Sequence, residues 1–317
     1  MIRSEHPKIL ITGATGFIGS NLTRKLIELN YETNVFIRRS SNLWRISDLK
    51  EKIKIYEVDI TNASQIKISL AKIKPDVILH LASAGLYGGV SSPPKILITT
   101  NIIGTANLIE AARNTRVKLF INTGSSAEYG PKNSPMKESD STNPNTFYSF
   151  TKLASTLYSQ MATGSFNLPI LTLRIFSPFG PYDDPSRLIT YVSTRAIKND
   201  PLFLSEPTSA RDYIYISDVV DAYIKAIMSK SAIGQIINIG SGHQTTVSRI
   251  SKEILKITKS RSKIYWKSQP KRLQDSPVWQ ADIKKAIKLL KWQPRTKIYE
   301  GLKKTVTWFR DNSEYYT

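Results

Sequence analysis

A doubly wound α/β sheet of parallel strands is the fold class that the sequence predicts, and three observations carry the expectation. Apolar runs of strand length alternate with helical periods from residue 8 to about 175. A turn holding three glycines joins the first such run to the first helix. After about Phe176 the alternation breaks into short, proline-punctuated elements, the mark of a smaller, loop-rich region set on the sheet. Strands separated by helices favour right-handed crossovers, and hence parallel pairing.

Lys8–Thr12 (KILIT) reads as a buried strand, and the span from Phe17 to about Leu29 as an amphipathic helix. Asn34–Ile37 and Ile53–Val58 follow as strands, Ser64–Ile73 as a helix, and Val77–Leu81 as a strand bounded by Pro75. Ile96–Arg113 is a long helix, Lys118–Asn122 a strand, Asn145–Ala162 a helix and Ile170–Leu173 a strand. Beyond them Pro178, Pro181, Pro185, Pro201 and Pro207 cut the chain into short pieces, before helix Val219–Met228 and strand Ile236–Ile239 resume the pattern. The expected division is a nucleotide-binding region over 1–176 and a substrate-binding region over 177–317, partly interleaved with the first.

Composition narrows the chemistry. The chain has 317 residues, 40% of them hydrophobic, so a sizeable core is expected. It has no cysteine and only three histidines (His6, His80 and His243), so disulfides and thiolate metal sites are excluded and no metal centre is expected. No apolar run approaches the roughly 20 residues that cross a bilayer, and the first residues lack a signal-peptide pattern. A soluble, cytoplasmic protein without a membrane partner is the plain expectation. The net charge of +20 suits nucleic-acid binding, capture of anionic small molecules, or lysines decorating a solvated surface. Basic residues are spread over Lys50–Lys74, Lys252–Arg272 and Lys284–Lys304 with no dense block interleaved with aromatics. The surface reading is therefore preferred, and nucleic acid is not an expected partner.

The glycine turn runs Gly13-Ala14-Thr15-Gly16-Phe17-Ile18-Gly19 between strand and helix. Glycine permits a tight turn and lets backbone N–H groups approach a pyrophosphate at a helix N-terminus. In this context the turn predicts dinucleotide binding in a Rossmann arrangement. NAD-preferring folds put a carboxylate at the end of the second strand to accept from the ribose 2′-hydroxyl. Here that place holds Arg38, followed by Arg39 and Ser40. Guanidinium groups pair with a 2′-phosphate, so NADP(H) is the expected cofactor.

Five features recur in order along nearly the whole chain. They are the glycine turn, Asp59-Ile60, the run Asp76 to Ala82, Tyr148 with Lys152, and Arg211-Asp212-Tyr213-Ile214-Tyr215. In this the chain resembles the extended short-chain dehydrogenase/reductases of the nucleotide-sugar epimerase/dehydratase group. The resemblance implies that Asp59 and Ile60 hold the adenine, and that His80, Leu81 and Ala82 flank the pyrophosphate and ribose. Tyr148 and Lys152 lie four apart and share a helix face. Proton transfer at a secondary alcohol suits a tyrosine whose acidity a neighbouring cation raises, the part Lys152 would take. Ser125 matches the family's serine or threonine that bonds the reacting oxygen. The two positions after it carry an acid pair in the 4,6-dehydratases; here they are Ser126 and Ala127, which disfavours dehydration. Glu128 stands one position late, where an extended segment would turn it to the opposite face.

Further along, Ser177 replaces the asparagine usual in the family's substrate-entry segment. Arg211 matches the arginine that clamps the nucleotide diphosphate, with Arg272 and Arg187 as further candidates and Ser126 beside them. Two enzymes then fit the site: an NADPH-dependent reductase of a 4-keto nucleotide-linked sugar, and a nucleotide-sugar epimerase. Arg38 and Arg39 favour the reductase, since they suit NADPH, the cell's reducing cofactor, and the Gly124–Gly130 segment and Trp292-Gln293-Pro294 look like those of the 4-keto-6-deoxyhexose reductases. A non-catalytic cofactor sensor or RNA-binding protein of the same fold is disfavoured by the presence of Ser125, Tyr148 and Lys152. The resemblance also implies a homodimer through a four-helix bundle, with Ile98, Ile102, Leu108 and Ile109 on one helix and Leu153 and Leu157 on the other.

Overall fold

The computed structural model describes residues 7–87, 90–268 and 278–316; of the sequence candidates, Arg272 lies outside the described residues. Seven strands form one parallel sheet: β1 Lys8–Thr12, β2 Glu32–Ile37, β3 Lys54–Glu57, β4 Val77–His80, β5 Leu119–Ser125, β6 Ile170–Ile175 and β7 Ile236–Ile239. Their order is β3-β2-β1-β4-β5-β6-β7, every pair parallel. Successive side chains of a strand point to opposite faces. Ile9, Ile11, Val77, Leu79, Leu119 and Ile121 accordingly enter one core, while Leu10, Ile78 and Phe120 enter the other. Burial on both faces is why these strands read as continuous apolar runs. The strand order reverses between β1 and β4, which opens a crevice at the carboxyl ends of the strands.

The helices that cover the sheet are α1 Phe17–Glu28, α2 Ala63–Ile73, α3 over 94–113 and α4 Phe147–Phe166. The expected elements are present with shifted ends, and the shifts have local causes. Helix α2 is capped by Asn62, whose side chain accepts from the Gln65 N–H at 3.1 Å. Helix α4 starts two residues later than expected because Thr146 and Ser149 form a reciprocal capping box, and it ends at Asn167 in the left-handed conformation. Strand β5 runs three residues past Asn122 and delivers Ser125 to the crevice. The long helix expected from Ile96 is not a plain α-helix: Ile98–Ile103 is a π-turn between Pro94–Leu97 and Gly104–Arg113. Leu108 and Ile109 do not serve both sheet and partner; both are fully buried in the core against the sheet. Ile98 and Leu157 are exposed, with Ile102 and Leu153 half-buried.

Beyond β6, Ser177–Phe179 pairs parallel with Ala210–Tyr215, which pairs antiparallel with Gln244–Thr246. Helices α5 Leu188–Lys198, α6 Ile216–Met228, α7 Val247–Thr258, α8 Lys284–Leu290 and α9 Ile298–Asp311 pack around these strands and the main sheet. Strand β7 extends the main sheet from within this second region, beside β6.

Trp292 ties α6 to the chain that leads into α9. Its buried indole N–H donates to the Asp218 carbonyl at 3.0 Å, and the Asp218 carboxylate accepts from the Arg295 and Thr296 N–H groups at 3.2 and 3.0 Å. Trp292→Ala should therefore cost about 3–5 kcal/mol. Trp292→Phe, which keeps most of the ring but leaves a carbonyl without its donor, should cost about 1–3 kcal/mol. Urea unfolding of the two variants checks both the order and the size.

Candidate active site

The glycine turn is built on one close approach. Gly13 has φ +77°, and a Cβ there would lie 2.6 Å from the Ala82 nitrogen. A Cβ on Gly19 would overlap the Gly13 carbonyl, and the Gly16 N–H donates to that carbonyl at 3.0 Å. The turn therefore packs directly on the chain leaving β4, and α1 starts with no side chain capping its first N–H groups. Such a start offers backbone donors and a positive dipole end to an anion. Gly13, Gly16, Phe17, Ile18, Gly19 and Leu81 face the cavity, while Thr15 and Ala82 belong to the same junction without lining it.

Beneath the turn, a chain of hydrogen bonds fixes a buried histidine. Thr105 Oγ1 donates to the Asn101 carbonyl at 2.6 Å and lies 2.9 Å from His80 Nε2, so Nε2 carries the proton. Nδ1 then accepts from Thr12 Oγ1 at 2.7 Å, and that oxygen accepts the Ala82 N–H at 3.2 Å. Burial, and behind it the Lys152 charge, pushes the imidazole down to about 3. His80 is a neutral strut that joins β1, β4 and α3.

The crevice opens into a cavity of about 1330 Å³. That exceeds the roughly 300–1,000 Å³ usual for one small ligand, and leaves room for two side by side. Ser125, Tyr148 and Lys152 all line it. Tyr148 sits in the first turn of α4 against Gly85, where a Cβ would come 3.2 Å from the ring. Lys152, one turn further on, is buried. Burial pushes its amine down to about 8, and the Glu128 charge opposes that shift. Near neutral pH the amine is therefore still largely an ammonium, though less firmly so than a free lysine.

Ser125 ends β5 and caps a 3-10 turn over Ser126–Tyr129, so the segment is not extended as the sequence suggested. The Ser125 N–H donates to Glu128 Oε1 at 2.7 Å, and its hydroxyl accepts from the Ala127 N–H at 3.2 Å. Glu128 thus folds back beneath Ser125 instead of turning to the opposite face. It is fully buried, with Oε2 2.8 Å from Arg174 Nε. Burial raises its carboxyl, against the pull of Arg174. A Cβ on Gly124 would strike Glu128 Oε1 at 2.7 Å, which makes that glycine part of the same arrangement.

The candidate substrate residues Ser126, Ser177, Arg187 and Arg211 line the same cavity. Trp279, which the sequence did not single out, joins two of them. Its indole N–H donates to Ser126 Oγ at 3.2 Å, and the Arg211 guanidinium lies 4.6 Å over its ring. Asn101 was missed as well: from the π-turn it bonds Ala84 N–H at 2.7 Å, the Ala84 carbonyl at 3.0 Å and Thr151 Oγ1 at 3.0 Å. It thereby locks the chain after β4 to α4, the helix that carries Tyr148.

Arg38, Arg39 and Ser40 are exposed just past β2, and the Arg38 N–H donates to Ser41 Oγ at 2.9 Å. Asp59 and Ile60 follow β3 at the same end of the sheet. Asp59 Oδ1 accepts from Thr61 N–H and Oγ1, both at 2.8 Å, and Ile60 is buried against Gly104. None of these five lines the main cavity. Among the described residues no cluster of His, Cys, Asp or Glu could hold a metal, and no helix is long and apolar enough to cross a membrane.

Comparison with known proteins gives a consistent picture. The NAD dependent epimerase/dehydratase family matches residues 9–240. The chain is 30% identical to the UDP-glucuronate 4-epimerase of Thermodesulfobacterium geofontis, over 96% of this chain and 97% of that one. It is also 30% identical to the UDP-glucose 4-epimerase of Mycolicibacterium smegmatis, over 97% of this chain and all of that one. Among solved structures, the UDP-glucose 4-epimerase of Thermotoga maritima with UDP-glucose superposes with a TM-score of 0.90 at 28% identity, covering 96% and 99% of the two chains. The UDP-glucuronic acid 4-epimerase of Bacillus cereus, in complex with UDP-glucuronic acid and NAD, gives 0.86 at 27% identity over 96% and 99%.

The His80 strut generates a pH prediction. Its folded-state pKa is depressed to about 3, so unfolding takes up a proton once pH falls below about 6.5. Its contribution is full above that pH and is lost as pH falls toward 3, by up to about 1.4 kcal/mol per pH unit. Between pH 6 and 4 the stability of His80→Gln should fall less steeply than that of the wild type, by about that slope. Equal slopes in urea titrations would mean that the folded protein protonates His80.

Proposed function

Because the chain belongs to the NAD dependent epimerase/dehydratase family, an enzyme family of the extended short-chain dehydrogenase/reductase type, we propose that it is a nucleotide-sugar 4-epimerase. The observation that supports this most is the meeting of Ser125, Tyr148 and Lys152 on a cavity that the glycine turn also lines. The relatives and structures reported above are named as epimerases acting on UDP-sugars. The 4-keto reductase favoured by the sequence draws no support from them. An epimerase and a reductase share the same three side chains and differ in whether cofactor is consumed.

The glycine turn fits a nicotinamide dinucleotide, because without a Cβ at Gly13 and Gly19 it packs against backbone and leaves the uncapped start of α1 facing the cavity. Gly13, Thr15, Gly16, Phe17, Ile18 and Gly19 would hold its pyrophosphate, with Leu81 and Ala82 beside it and Asp59 and Ile60 at the adenine. When bound, such a cofactor supplies reversible hydride acceptance. Tyr148 takes the proton of a secondary sugar hydroxyl and later returns it to the same oxygen, acting as base and then acid. Ser125 holds that oxygen, and the Lys152 ammonium favours the tyrosinate. Arg187 and Arg211 pair with the diphosphate, and Ser126 and Ser177 bond the sugar. Ala127 cannot accept a proton, which argues against dehydration.

Two finer readings go with this one. Arg38, Arg39 and Ser40 stand exposed where an NAD-preferring fold keeps a carboxylate, so NADP(H) is the preferred cofactor. The exposed side chains of Ile98 and Leu157, with Phe150 and Met161 on α4, suit a homodimer that pairs α3 and α4 with their copies. The cofactor region spans 1–176 and the substrate region 177–317, with β7 shared between them.

Purified enzyme given UDP-glucuronate or UDP-glucose should interconvert each with its 4-epimer and consume no cofactor on balance. Stoichiometric loss of NADPH with a 4-keto nucleotide sugar would instead establish the reductase. In calorimetric titrations NADPH should bind more tightly than NADH, and Arg38→Ala should cost about 2–3 kcal/mol, roughly thirty- to a hundredfold, for NADPH alone. Equal affinities in the wild type would refute the cofactor preference.

A further inference from the structure

Three successive backbone carbonyls beside the cavity each accept a hydrogen bond from a different part of the chain. Asn21 Nδ2, on α1, donates to the Pro181 carbonyl at 3.0 Å. Arg45 Nε, in the 3-10 helix Trp44–Lys52, donates to the Tyr182 carbonyl at 2.7 Å. Tyr316 Oη, in the 3-10 turn Ser313–Tyr316, donates to the Asp183 carbonyl at 2.8 Å. Between them Tyr182 holds φ +69°, a left-handed conformation that a non-glycine residue keeps only where its surroundings over-determine it.

The surroundings do so through an aromatic cluster. The Tyr182 ring lies 4.2 Å under the Arg24 guanidinium and 4.6 Å from Trp308. Trp44 stacks on Tyr315 at 5.0 Å, and Tyr316 meets Phe309 edge-on at 4.8 Å. Neither Arg45 nor Tyr316 lines the cavity, yet Asp183, Ser186 and Arg187 do. From Asp183 onward the chain is stiffened by its own bonds. Asp184 N–H donates to Asp183 Oδ1 at 2.8 Å, Ser186 N–H to Asp184 Oδ1 at 2.9 Å and Arg187 N–H to the Asp184 carbonyl at 3.0 Å. The Arg187 Nε lies 3.5 Å from Asp183 Oδ1, and the Asp183 side chain is buried. A shift at 181–183 therefore has little slack to absorb it before Arg187.

We propose that Arg45 and Tyr316 are positioning residues for Arg187: by bonding the Tyr182 and Asp183 carbonyls from behind, they set where its guanidinium enters the cavity and so tune affinity for a nucleoside diphosphate. The inference rests on the nucleotide-sugar reading above. It also makes the α1 face, the segment after Arg38–Ser41 and the Ser313–Tyr316 turn joint supports of the diphosphate end.

Calorimetry with UDP as the probe tests this through a double-mutant cycle. Tyr316→Phe keeps the ring against Phe309 and Trp308 and removes only the donor. It should weaken UDP about three- to tenfold, the loss of about one hydrogen bond, and leave NADPH affinity unchanged. Arg187→Ala should weaken UDP by about ten- to a hundredfold. In the Arg187→Ala background Tyr316→Phe should add nothing, because Tyr316 acts through Arg187. Arg45→Met should behave like Tyr316→Phe, with Arg45→Lys recovering part of the affinity, so the test stands even where one variant fails to fold. Unchanged UDP affinity in the single variants, or an equal loss in both backgrounds, overturns the positioning role while the nucleotide-sugar reading stands. Wild-type enzyme that binds none of UDP, dTDP or GDP overturns the nucleotide-sugar reading, and this inference with it.

Discussion

The backbone contact between Gly13 and Ala82 is the constraint on which the rest of the structure depends. Where strand order reverses, β1 and β4 lie side by side and their outgoing chains diverge. The turn can lie against the neighbouring chain only because Gly13 lacks a Cβ and adopts positive φ. Gly19 then lets α1 sit on the Gly13 carbonyl, and the helix N-terminus faces the crevice. Moving that junction by the width of one methyl group would shift the whole cofactor floor relative to Ser125 and Tyr148.

The electrostatics around this junction are arranged so that few charges are buried alone. Glu128 and Arg174 form a fully buried pair, expensive to desolvate but tied to the Ser125 backbone and stacked on the Tyr129 ring, with the guanidinium 4.5 Å from its centroid. His80 answers the same cost by staying neutral. Lys152 is the buried cation on the cavity wall itself, and burial brings its amine to about 8. A cation held at the cavity wall is suited to making a neighbouring hydroxyl more acidic, whereas Glu128, committed to Arg174, is suited to holding geometry.

Much of this was legible in the sequence, for reasons that also explain what was not. Runs such as KILIT and VILHL announce strands covered on both faces, and the glycine turn announces itself by its place between strand and helix. Tyr148 and Lys152, four apart, stood out only together with Ser125 and that turn, through the family resemblance. The π-turn at Ile98–Ile103 widens one turn without disturbing the apolar rhythm, so Asn101 looked like any helical residue. The segment after Ser125 did carry a sign of its 3-10 turn, the capping-box spacing of Ser125 and Glu128, which the extended reading passed over. Trp279 and Asp183 acquire meaning only from partners far away in the chain, Ser126 and Tyr316, which no local pattern could pair. The choice between epimerase and reductase turns on the fate of the cofactor, and Ser125, Tyr148 and Lys152 are common to both.

The central claim is that Tyr148 carries the proton at a cavity that holds cofactor and sugar together. Tyr148→Phe tests it most directly, since the ring stays against Gly85 and only the proton carrier is lost. Turnover of the UDP-sugar should fall by roughly 10²–10⁴ while calorimetric affinities for cofactor and UDP-sugar stay close to wild type. A variant that keeps its turnover, or loses it only in step with lost binding, would contradict the account.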